Sequence, residues 1–96
     1  MSLEEVLISV WRQVFEENGK TVRLEDETYP VRRTSRAKLR EVDFQFGGRT
    51  LRGVEQNAQT NSRWATLARQ GRKVMQFLEA RKYVAVVVDG KVTLYH

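Results

Sequence analysis

Between residues 32 and 40 the chain carries five cations, Arg32, Arg33, Arg36, Lys38 and Arg40, set among the hydroxyl side chains Thr34 and Ser35. Guanidinium and ammonium groups neutralise phosphate and hydroxyls hydrogen-bond to it, so this composition suits a nucleic-acid backbone better than any bond-breaking task. Arg49, Arg52, Arg63, Arg69, Arg72 and Lys73 follow and would extend the same surface. A second set is rich in amides: Gln56, Asn57, Gln59 and Asn61 fall in the uncharged stretch 56–62. Amides read base edges through paired donor and acceptor contacts, and they also close loops and cap helices. The cation run has a plainer alternative too, a solvated face whose arginines pair with nearby acids.

Catalytic chemistry has little to draw on. Cysteine is absent and the one histidine is the last residue, His96, which removes disulfides, thiolate metal sites, cysteine nucleophiles and an internal imidazole base. Asp43 and Glu55 resemble, in type and spacing, the metal-binding carboxylates of restriction-type nucleases, and that resemblance would imply divalent-metal-dependent cleavage of nucleic acid. The motif has a lysine two residues after the second acid, where this chain has Asn57. In a hairpin turning at Gly47-Gly48, moreover, Asp43 faces Arg52 and Glu55 falls on the other side of the sheet unless Gly53 forms a bulge. No catalytic residue, metal ligand or cofactor is therefore expected.

Lys plus Arg number 17 and Asp plus Glu 12, a net charge of +5. The surplus is uneven. Residues 1–30 hold Arg12, Lys20 and Arg23 against seven acids, whereas residues 31–82 hold thirteen bases against Glu41, Asp43, Glu55 and Glu79. An acidic front and a basic middle predict opposed faces on one domain. Two function classes fit best, with a metal-dependent nuclease using Asp43 and Glu55 as the third and least favoured. The first is a DNA- or RNA-binding domain that works by phosphate neutralisation. The second is an interaction module that meets an acidic protein partner, or forms a homodimer, through the basic face or an exposed sheet edge. The acids of Met1-Ser2-Leu3-Glu4-Glu5 oppose a secretory leader, and the longest apolar run, Val84–Val88, is too short to span a bilayer, so the expectation is a cytoplasmic protein with no membrane partner.

Ninety-six residues, 41% of them hydrophobic, suffice for one small domain with its own core. Leu3, Val6, Leu7, Val10, Trp11, Val14 and Phe15 follow helical spacing and predict an amphipathic helix over about 3–17, opened by a Ser2/Glu5 capping box and stopped at Asn18-Gly19. The period then changes to two. Short strands are expected at Thr21–Leu24 and Tyr29–Arg33, around a turn at Glu25-Asp26-Glu27. Val42, Phe44 and Phe46 then run into the Gly47-Gly48 turn and return along 49–56, pairing Phe46 with Arg49, Phe44 with Leu51 and Asp43 with Arg52. A short helix over about 62–70, capped by Asn61 or Ser62, would bury Trp64, Leu67 and Ala68 and end at Gly71. Residues 73–79 could extend this helix or start a strand, and Gly71 with the β-forming run Tyr83–Val88 favours the strand. Asp89-Gly90 closes a last hairpin, pairing Val87 with Val92 and Ala85 with Leu94, and the apolar run before it predicts a central strand covered on both faces. The fold class is α+β, a mainly antiparallel sheet built from hairpins with an N-terminal helix and one short helix between hairpins.

Overall fold

A computed structural model describes residues 1–34 and 38–95. Its elements are α1 (Leu3–Phe15), β1 (Thr21–Leu24), β2 (Glu27–Thr34), β3 (Leu39–Phe46), β4 (Arg49–Gln56), α2 (Ala65–Arg69), β5 (Val74–Glu79), β6 (Lys82–Val88) and β7 (Lys91–Leu94). The seven strands form one antiparallel sheet in sequence order, β1 to β7. α1 lies against β1 on one side and against β6 and β7 on the other, so the sheet curls around the helix.

α1 forms for the local reasons expected. Ser2 Oγ accepts the Glu5 N–H at 3.2 Å while the Glu5 carboxylate reaches back to the Ser2 N–H, satisfying donors that the first turn leaves free. The helix ends two residues earlier than its periodicity predicts, because Asn18 takes a left-handed φ of 49° and the Gly19 N–H turns back to the Gln13 carbonyl. Val6, Leu7, Val10, Trp11 and Val14 are buried along its inner stripe, each of the aliphatics contributing roughly 1.5–3 kcal/mol.

The sheet's inner face supplies the rest of the core: Val22 and Leu24 from β1, Val42 and Phe44 from β3, Leu51 from β4, Met75 and Phe77 from β5, Ala85 and Val87 from β6. Phe44 and Phe77 meet edge to face, centroids 6.0 Å apart, across the strand between them. Gly53 makes that contact fit, since a Cβ there would stand 2.9 Å from Phe77 Cε1 and 3.0 Å from Met75 Cε. The two predicted registers, Phe46/Arg49 through Asp43/Arg52 and Val87/Val92 with Ala85/Leu94, are those observed. Gly47 and Gly48 take φ of 59° and 76°, the mirror-image turn that matches strand twist.

Three expectations need correcting. β6 is buried on both faces but lies next to the edge strand β7, not at the centre of the sheet. α2 is shorter than predicted, and its N-cap is Trp64; Ser62 acts one step earlier, its Oγ accepting the Trp64 N–H at 3.3 Å. The fully buried residue of α2 is Ala65, while Trp64, Leu67 and Ala68 are half-buried. The whole 57–73 connection therefore acts as a lid on the outer face of the sheet. Beneath it Gln56 and Gln76 are buried and hydrogen-bonded to each other at 2.8 Å.

Candidate nucleic-acid interface

In an antiparallel meander successive connections alternate between the two ends of the sheet. The α1–β1, β2–β3, β4–α2–β5 and β6–β7 connections share one end; the start of α1 and the β1–β2, β3–β4 and β5–β6 turns share the other. Charge separates along the same axis. The first end gathers Lys20, Arg33, Lys38, Arg40, Arg69, Arg72, Lys73 and Lys91 against Glu16, Glu17, Glu55 and Asp89. The second gathers Glu4, Glu5, Glu25, Asp26, Glu27 and Glu79 against Arg23, Arg49, Arg81 and Lys82.

The cations expected to form one surface divide into those held by acids and those left free. Arg40 is held most firmly. Its guanidinium meets both oxygens of Glu55 at 2.9 Å and its backbone N–H donates to Oε2 at 3.0 Å. It also donates to the Val14 carbonyl and to Asn18 Oδ1 and lies 4.8 Å from the centroid of the Phe15 ring, so it closes the C-terminal turn of α1. Burial pushes the Glu55 carboxyl up, but the hydrogen bonds and charge of Arg40, with Arg33 beyond, outweigh it and hold Glu55 below the usual carboxylate range.

Arg32 and Arg52 are spent differently, on an outer-face ladder across β2, β3 and β4. Arg32 pairs with Asp43, and Arg52 Nε reaches Asp43 at 3.0 Å and Glu41 at 3.1 Å. Arg49 pairs with Glu79 at 2.6 Å near the opposite end, its hydrogen bond holding Glu79 low. Arg72 pairs with Asp89 at 2.9 Å, and the Lys73 N–H donates to the same carboxylate at 3.0 Å, which ties the lid to the β6–β7 turn and lowers the Asp89 carboxyl. Arg63 stacks on Trp64, its guanidinium 4.5 Å from the ring centroid.

Arg33, Lys38, Arg69 and the Lys73 ammonium remain exposed, with no ion pair among the described residues. Arg36 lies outside the described residues. Arg33 sits directly across from Arg40 in the β2–β3 register, an unfavourable like-charge pair that the Glu55 carboxylate helps to offset. A groove of about 230 Å³ opens beside them, lined by Phe15, Arg40, Glu55, Asn57, Arg72 and Lys73 among others.

The amides divide likewise. Gln56 is buried as the last residue of β4, accepting from Ser62 Oγ at 2.6 Å and donating to Gln76. Asn57 Oδ1 organises the turn after it, taking the Gln59 N–H at 2.9 Å and the Thr60 hydroxyl at 3.1 Å. Gln59 and Asn61 are exposed. The nuclease-like acids do not converge: Asp43 pairs across to Arg52 on the outer face, Glu55 pairs across to Met75 on the inner face, and the register runs through Gly53 without a bulge. The described residues hold no group of three or more metal-ligating side chains, and no helix among them is long and apolar enough to cross a membrane. Two exposed cations outside the predicted set, Arg81 and Lys82, stand beside Tyr83 at the β5–β6 turn; the run Arg81-Lys82-Tyr83 was their only sequence signal. Comparison of the chain with protein-family models, with curated proteins and with solved structures finds no match.

Proposed function

We propose that the protein binds nucleic acid through the end of the sheet that carries Arg33, Lys38, Arg69 and Lys73, with affinity supplied mainly by phosphate neutralisation. One observation supports the reading: the alternation of the meander gathers cations from separate parts of the chain at one end, and these four are exposed and make no ion pair among the described residues. Ion-paired arginines are poor phosphate ligands because an existing carboxylate contact must be broken first. The working set is therefore smaller than the sequence suggests. Arg32, Arg49, Arg52 and Arg72 serve the fold's own acids, and Arg40 anchors α1.

Fluorescence anisotropy with labelled duplex DNA, single-stranded DNA and RNA at low and physiological salt tests the reading. Binding should weaken steeply with salt, with a logarithmic slope of about 0.9 per phosphate contacted on duplex DNA. Absence of binding to all three at low salt overturns it.

A further inference from the structure

At the opposite corner of the outer face, three aromatic rings meet where β6 begins and β7 ends. Tyr83 and Tyr95 stand with centroids 6.3 Å apart, and Tyr95 meets Trp64 edge to face at 6.0 Å. Tyr83 is 42% exposed, unusual for so large an apolar ring.

Its position depends on a defect in the sheet. β5 and β6 pair Phe77 with Ala85 but Leu78 with Tyr83, leaving Val84 unmatched. Strict alternation would put Tyr83 on the face of Ala85 and Val87, beneath α1. The bulge re-aims it outward, where its hydroxyl accepts a hydrogen bond from Gln76 Nε2 at 3.1 Å. The phenol is thus pinned at its oxygen while the ring stays open to solvent.

The turn before it is also unusual. Ala80 and Arg81 hold φ of 46° and 71°, a mirror-image turn in which glycine or asparagine is the unstrained choice. That turn sets Arg81 and Lys82 beside Tyr83; Lys82 stands directly across from Glu79, whose carboxyl its charge helps to lower, and Arg81 makes no ion pair among the described residues. Glu79, the acid nearest in sequence, is engaged by Arg49. Arg49, Glu79, Arg81, Lys82, Tyr83 and Tyr95 are among the residues lining an open depression of about 490 Å³, in which the one carboxylate is already paired with Arg49. Arg63 lies over Trp64 and 5.6 Å from the centroid of Tyr95, adding a third cation to the corner.

An exposed ring rimmed by exposed cations has the chemistry of a base-stacking platform: the π-face takes a base and the cations take its flanking phosphates. A duplex keeps its base faces covered, so only an unpaired base can use such a ring. We infer that the Tyr83–Tyr95 corner is a stacking site for an unpaired base of single-stranded nucleic acid, with Arg81 and Lys82 on the adjoining phosphates. This rests on the nucleic-acid reading above and gives it a strand preference.

The test compares a labelled short oligouridine with duplex DNA by anisotropy, using the full chain and its variants, with circular dichroism to verify the fold. Tyr83→Ala should weaken oligouridine binding about tenfold, the size of one lost stacking contact, while leaving duplex affinity and the salt slope unchanged. Tyr83→Phe should retain binding, because the ring and not the hydroxyl makes the contact. Arg81→Ala combined with Lys82→Ala should lower the salt slope for oligouridine alone. Wild-type binding should also change Trp64 emission through its contact with Tyr95. The inference is overturned if Tyr83→Ala binds oligouridine as tightly as the wild type, if it weakens both ligands equally, or if Tyr83→Phe fails as badly as Tyr83→Ala. In those cases a loss caused by Lys73→Glu leaves the phosphate reading standing, whereas a wild type that binds neither ligand removes both.

Discussion

Two arginine–glutamate pairs stand near opposite ends of the sheet, and their surroundings make them different objects. Arg40–Glu55 is 16% exposed on both sides, and Arg40 also serves the last turn of α1 and the Phe15 ring. Arg49–Glu79 is 39% and 36% exposed and links two neighbouring strands at the rim. The first joins β3, β4 and the helix, so losing one partner would leave a charge in a poorly hydrated site. In the second, water replaces whichever partner is removed. The same contrast separates the cations available to a ligand from those committed to the fold. Arg33 and Arg40 are cross-strand neighbours, yet only Arg33 is exposed and outside an ion pair among the described residues.

Arg40→Ala should break this comparison most strongly, destabilising the protein by about 2 kcal/mol, less than a fully buried pair because both groups keep some contact with water. Thermal unfolding followed by circular dichroism should show a midpoint lower by about 10 °C, and removing Glu55 as well should restore part of the loss. The basic end is sharpened next. Lys73→Glu and Arg33→Glu should each weaken nucleic-acid binding by about tenfold in anisotropy and reduce its salt slope, while Arg52→Ala leaves both nearly unchanged. A loss at Arg52 as large as at Lys73 would mean that ion pairing does not set availability.

Acid should separate the two pairs further. Glu55 is held below its usual pKa in the folded protein, so the stability it contributes is present above the ordinary glutamate value, about 4.3, and is lost as pH falls through the lower folded value. Glu55→Gln should therefore be less stable than the wild type at neutral pH, and the gap in unfolding midpoint should close as the pH drops below about 4. Arg49→Ala carries the smallest expectation, an unfolding midpoint indistinguishable from that of the wild type. A large drop there would show the rim pair to be structural after all.

Much of the fold was legible because its causes are local. Ser2 and Glu5 start α1, Asn18 stops it, Gly47-Gly48 and Asp89-Gly90 turn their hairpins, and strict alternation sets both registers. The α2 region was less legible. A polar loop, a tryptophan and a two-turn periodicity do not show that Ala65 is the fully buried residue of α2, because its burial depends on tertiary packing and not on local spacing. The bulge at Val84 was invisible for a related reason: an apolar run reads the same with or without one extra residue.

The candidate site shows the same division. Residue types alone determined that the protein is rich in cations, poor in catalytic groups, and acidic in front but basic in the middle. Only the tertiary structure decided which cations are free, because their acids lie far along the chain: Glu55 for Arg40, Glu79 for Arg49, Asp89 for Arg72. It also turned a division along the sequence into one along the strands, since antiparallel connections return distant segments to the same end. Helix caps and turns are settled by neighbours within a few residues, whereas a charge is settled by whatever the fold brings within about 4 Å, the reach of an ion pair.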